Sequence, residues 1–130
     1  MIVRTNIGVA IKYNKLNKIY SISEDGGASW SKLEVFADIK EPICMTSIVN
    51  TGDALYYSQP DDYYFKVQMT IAVSRDDGAT FDNRKIIYQG ASGYSDLGVS
   101  YEGDLFLVFE NGAVEYDGRI TFVRVKAFGD

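Results

Sequence analysis

One octapeptide occurs twice in this chain, 51 positions apart, and that spacing limits the possible folds more than any other feature. Ser23-Glu24-Asp25-Gly26-Gly27-Ala28-Ser29-Trp30 matches Ser74-Arg75-Asp76-Asp77-Gly78-Ala79-Thr80-Phe81. The shared pattern is Ser-x-Asp-x-Gly-Ala-Ser/Thr-aromatic. An apolar segment precedes each copy (Ile19-Tyr20-Ser21-Ile22 and Thr70-Ile71-Ala72-Val73), and another follows. A single copy reads as an ordinary hairpin. Two copies in matching contexts indicate a repeated unit of about four strands, as in a propeller blade. Asp25 and Asp76 are placed to accept hydrogen bonds from N–H groups of their own turns. Gly27 and Gly78 allow positive φ without a Cβ clash. Trp30 and Phe81 are expected to pack back onto the blade.

Short apolar runs alternate with turn clusters along the whole chain. Strands are expected at 8–12, 18–23, 34–37, 45–49, 54–58, 69–74, 85–88, 97–101, 104–110 and 119–127. Between them lie Asn50-Thr51-Gly52-Asp53, Asp76-Asp77-Gly78, Glu102-Gly103-Asp104 and Asn111-Gly112, residues that accept the φ values of tight turns. No segment sustains a 3.6-residue period, so the expected class is all-β. Tyr is the most frequent aromatic, with 10 copies, and favours strands.

Charge and rare residues exclude several kinds of chemistry. The net charge is −5 and no Lys/Arg cluster exists, which argues against nucleic acid and anionic membranes as partners. The single cysteine, Cys44, forbids an intrachain disulfide, and histidine is absent. No Cys/His metal site and no Ser–His or Cys–His pair can therefore be built. Asp61-Asp62 and Asp76-Asp77 lack the alternating spacing of a calcium loop, so neither metal nor other cofactor is expected. The N-terminal residues carry no signal-peptide core, and no run approaches the roughly 20 apolar residues of a membrane span.

The two octapeptides resemble the Asp-boxes of sialidases and of several unrelated propellers. That resemblance gives Ser23, Asp25, Gly27, Trp30 and Ser74, Asp76, Gly78, Phe81 a structural role on outer turns. A sharper likeness lies in Ala91-Ser92-Gly93-Tyr94-Ser95-Asp96-Leu97, followed by Leu105-Phe106-Leu107-Val108-Phe109-Glu110-Asn111-Gly112. It is similar to the sialidase (neuraminidase) segment in which Tyr-Ser-(Asp)-Leu carries the nucleophilic tyrosine. Glu41-Pro42-Ile43-Cys44-Met45-Thr46-Ser47 and Ala54-Leu55-Tyr56-Tyr57-Ser58-Gln59-Pro60 resemble the two strands that come before it.

The resemblance implies a glycoside hydrolase that removes terminal sialic acids with Tyr94 as nucleophile. Sialic acid carries a carboxylate on its anomeric carbon, and a phenol approaches it without the repulsion a carboxylate would meet; sialidases are the tyrosine exception among glycosidases. In the family three arginines hold that carboxylate. Arg4 matches the second of them, or is a surface arginine. Lys66, in Phe65-Lys66-Val67-Gln68-Met69-Thr70, stands where the third would be. Lysine keeps the charge but loses the bidentate fork. Glu110 matches a glutamate that braces the first arginine, or is an unpaired glutamate at a strand end. The first arginine, the acid/base aspartate and the glutamate that activates the tyrosine have no match in this sequence. The alternative function is a non-catalytic sialoglycan-binding or degenerate propeller module.

At 51 residues per repeat, 130 residues give about two and a half blades, approximately 1–40, 41–90 and 91–130. The family's propeller has six. The chain therefore reads as the C-terminal part of such a propeller. It is expected to associate with itself or with a separate N-terminal half, because unclosed blades expose strand edges and apolar faces.

Overall fold

The computed structural model describes residues 2–3 and 17–129. The expected strand at 8–12 and Arg4 lie outside the described residues. All regular structure among the described residues is β. Strands β1 (Ile2–Val3), β2 (Asn17–Tyr20) and β3 (Glu34–Lys40) form one antiparallel sheet in that order. Strands β4 (Ser47–Asn50), β5 (Leu55–Pro60), β6 (Val67–Ser74), β7 (Asn83–Val99), β8 (Leu105–Gly112) and β9 (Arg119–Val125) form a second sheet, each pairing antiparallel with the next. The short β1 was not foreseen.

One correction concerns β7. The sequence reading places separate strands at 85–88 and 97–101, but the chain runs extended through 17 residues from Asn83 to Val99. Asn83 to Ala91 pair with β6, and Ala91 to Val99 pair with β8. Gly90, Ser92, Gly93 and Asp96 look like turn residues, yet the chain stays extended through them, passing its pairing from β6 to β8 at Ala91. β7 is thus the last strand of one four-stranded meander (β4–β7) and the first of the next (β7–β9), as in adjacent blades of a propeller. A register shift between Ser92 and Ser95 marks a bulge at Gly93 and Tyr94.

The β4–β7 meander is covered on both faces, which is why β5 and β6 are buried almost without a break, polar Ser58, Gln59 and Thr70 included. Successive side chains of β5 point to opposite faces. Tyr56 joins Met69, Ile71, Val73, Leu97, Leu105, Leu107 and Phe109 in one core. Tyr57 joins Ala72, Phe81, Phe36 and Ile39 in the other, against the first sheet. Polar bonds fix that second contact. Arg84 Nη1 donates to the Tyr57 hydroxyl (2.7 Å) and to Asp61 Oδ1 (3.2 Å), while Nη2 donates to the Asp38 carbonyl. Burial pushes the Tyr57 phenol pKa up, so it remains the neutral partner of this network.

The two repeated turns have the same internal wiring. Asp25 accepts from Ser29 N (2.9 Å) and Ser29 Oγ (2.5 Å), and Asp76 from Thr80 N (2.9 Å) and Thr80 Oγ1 (2.7 Å). The Ser23 and Ser74 hydroxyls donate to those carboxylates and accept from Gly27 N and Gly78 N. Gly27 (φ 97°) and Gly78 (φ 88°) occupy the left-handed region. The aromatics diverge. Phe81 is fully buried, as expected, but Trp30 is 49% exposed. Trp30 Nε1 donates to the Gly27 carbonyl (3.1 Å), which holds the indole over its own turn instead of against a sheet.

These bonds make the turns acid-sensitive. Hydrogen bonds, led by the Ser29 hydroxyl for Asp25 and the Ser74 hydroxyl for Asp76, lower each carboxyl from 3.8 to about 2. A depressed folded-state pKa stabilises the fold above the unfolded pKa, and this contribution is lost as pH falls through the folded value. The melting temperature is therefore expected to drop between pH 4 and pH 2. A chain carrying both Asp25→Asn and Asp76→Asn should show a shallower decline in thermal melts over that range. An unchanged acid slope would contradict the assignment.

Candidate functional site

The bulge in β7 is where the candidate residues meet. Tyr94 sits on it, 40% exposed. The Tyr94 N–H donates to Glu110 Oε2 (2.8 Å) across the pair from β8. Glu110 thus fixes the backbone that carries Tyr94. Gly93 permits this approach. A Cβ at Gly93 would collide with Glu110 Oε2 and come within 2.8 Å of Tyr116 Cδ2.

Lys66 enters from the other side, immediately before β6. Its carbonyl accepts from Ser92 N (2.8 Å), which ties it to the start of the bulge. A register shift around Gln68, whose φ is +61°, interrupts the ladder just after it. The ammonium lies 5.5 Å from the centre of the Tyr94 ring and 4.1 Å from the centre of the Tyr116 ring. Both distances lie within cation–π range. The structure thus brings together Tyr94, Lys66 and Glu110 and adds Tyr116, which the sequence reading missed. Tyr116 lies in the β8–β9 turn, where no motif marks it.

A buried layer supports the bulge from behind. Lys18 Nζ and Glu41 Oε2 form an ion pair at 3.0 Å with both side chains fully buried. Glu41 Oε1 accepts from Cys44 N (3.1 Å), and the Lys18 ammonium also donates to the Cys44 carbonyl. Cys44 Sγ donates to the Gly93 carbonyl (3.3 Å). Burial raises the Cys44 pKa against the opposing pull of Lys66 and Lys18, so the thiol is a packing group and not a nucleophile. Ser47 Oγ donates to Asp96 Oδ1 (2.7 Å) and accepts from Leu97 N (3.0 Å), joining β4 to β7 beside the site.

The carboxylates of Asp25 and Asp76 are engaged within their own turns. Among the described residues, no group of three or more His, Cys, Asp or Glu could hold a metal ion. The Tyr94 group offers an accessible phenol beside a fixed positive charge, with carbonyl and carboxylate groups locking the backbone beneath. Such an arrangement suits an anionic ligand next to a nucleophile or hydrogen-bonding hydroxyl.

Comparisons with known proteins converge on one family. No family model matches the chain. A sialidase of Micromonospora viridifaciens is 29% identical over 102 residues, covering 71% of this chain and 16% of that protein. Among solved structures, the Hadza microbial sialidase Hz136 is 25% identical, with a TM-score of 0.72 over 87% of this chain and 23% of its own. NanB sialidase from Streptococcus pneumoniae (15% identity, TM-score 0.66) and an intramolecular trans-sialidase from Ruminococcus gnavus (16%, 0.64) share the fold. The chain spans 16% of the length of the Micromonospora sialidase and 23% of that of Hz136.

Proposed function

Taking the chain as a propeller segment that is sialidase-like in sequence and fold, we propose that it supplies the nucleophile side of an exo-α-sialidase site. Tyr94 Oη would displace the glycosidic oxygen from the anomeric carbon of a terminal sialic acid, giving a covalent intermediate that water then opens with net retention. The base that takes the phenol proton and the acid that protonates the departing alcohol, which have no match in this sequence, would come from the rest of the propeller. Lys66 would pair with the carboxylate on the same carbon. Glu110, through the Tyr94 N–H, would keep the phenol at a fixed height. The observation that carries this reading is the convergence of Lys66, Tyr94 and Glu110 on one bulge, from three separate strand regions. Arg4 would add a second cation.

A second reading rests on Lys66 itself. An ammonium held against two tyrosine rings offers a point charge where an arginine would offer a fork. That suits binding of a sialylated glycan without turnover. Partner association, with a second copy or with a chain supplying the remaining blades, belongs to the same proposal.

Hydrolysis of a fluorogenic sialic-acid glycoside, measured beside Tyr94→Phe, separates the readings. Where self-association or a chain with the remaining blades supplies the groups missing here, Tyr94-dependent turnover is expected, with a loss of roughly a hundredfold or more in Tyr94→Phe. Equal turnover by both chains would remove Tyr94 from the mechanism. No turnover, but saturable sialic-acid binding abolished by Lys66→Ala, would select the binding module.

A further inference from the structure

We propose that Tyr116 is a positioning residue of this site, holding the Lys66 ammonium where a ligand carboxylate would meet it. The inference rests on the sialic-acid reading above and adds a residue to which neither motif nor resemblance assigns a role. Of the two rings near Lys66, that of Tyr116 is the closer, at 4.1 Å against 5.5 Å for Tyr94. The electrostatic attraction of an ammonium to a ring face falls with distance, so Tyr116 has the stronger hold.

The local backbone is built to deliver that ring. The β8–β9 turn folds back so tightly that a Cβ at Gly112 would strike the Glu115 carbonyl. Only a residue without a side chain fits there, and the reversal returns Tyr116 over the bulge. Gly93 clears the landing place, since a Cβ there would come within 2.8 Å of Tyr116 Cδ2. Val114, in the same turn, is 83% exposed, whereas Tyr116 is 37% exposed. Four-carbon lysine stems are flexible, and an ammonium restrained in advance loses less entropy when it meets an anion.

The test uses the whole chain and the α-methyl glycoside of N-acetylneuraminic acid as probe. NMR first reports the ε-methylene protons of Lys66, which a ring face shifts upfield whether or not ligand is present. They should return toward ordinary lysine values in Tyr116→Leu and stay shifted in Tyr116→Phe. Probe titrations should then show an affinity about 3- to 10-fold weaker in Tyr116→Leu and nearly restored in Tyr116→Phe. Unchanged Lys66 resonances in a folded Tyr116→Leu chain would overturn the proposal. So would unchanged affinity, which would leave the sialic-acid reading intact. Absence of any probe binding by the unaltered chain would instead overturn the sialic-acid reading, and this role of Tyr116 with it.

Discussion

Glu41→Ala is expected to lower the unfolding free energy by about 3–5 kcal/mol, the usual cost of breaking a buried ion pair from one side. Lys18 and Glu41 are both fully buried and 3.0 Å apart. Removing the carboxylate leaves an ammonium in a low-dielectric interior without that countercharge, and charge burial of this kind is costly. The Cys44 N–H loses its acceptor in the same step. A domain of this size commonly has only about 5–15 kcal/mol to lose, so the urea midpoint should fall steeply. Replacing both partners at once, Lys18→Met with Glu41→Leu, should recover most of the loss, because two apolar groups need no countercharge. A loss below about 1 kcal/mol in Glu41→Ala would show that the pair is hydrated or satisfied otherwise. Because Cys44 reaches the Gly93 carbonyl, amide resonances of Gly93 and Tyr94 should move in Glu41→Ala.

That pair also shows where sequence reasoning stops. Lys18 and Glu41 are 23 positions apart, and each looks like an ordinary surface charge. Nothing local announces that β2 and the loop before β4 will close over both. The all-β class, the repeated turns and the centres of most strands were legible, because short apolar runs and Gly/Asp turn chemistry are local signals. Where Gly and Ser serve close approach instead of reversal, the same signals misled. Gly93 was read as part of a break between strands, yet it lies inside β7 so that Glu110 can reach the Tyr94 N–H. In the candidate site, Tyr94 and Glu110 are named from a motif that fixes their order in the chain and Lys66 from the place of an arginine, and their roles are proposals. Tyr116 and Arg84 were missed because their contacts depend on how far a turn folds back and how two sheets face each other.

The two aromatic positions of the repeat give the last test, since equal places in the pattern should yield unequal energies. Phe81→Ala is expected to cost about 3–5 kcal/mol, as large-to-small changes in a packed core do. Its ring is fully buried, 5.0 Å from Tyr57 and 6.0 Å from Phe36, between the two sheets. Its N–H donates to Asp38 Oδ2 (2.5 Å), so the surrounding backbone is held and collapses poorly around the void. Trp30→Ala should cost about 1 kcal/mol or less, because the indole is half exposed and its one hydrogen bond closes its own turn. Urea unfolding of the two variants side by side measures both. Equal losses would mean that Trp30 is packed as Phe81 is, and that the aromatic of the repeat is a core residue wherever it occurs. Unequal losses would mean that the turn supplies the aromatic and the neighbouring sheet decides what it is worth; for Phe81 that neighbour is β3, through Phe36.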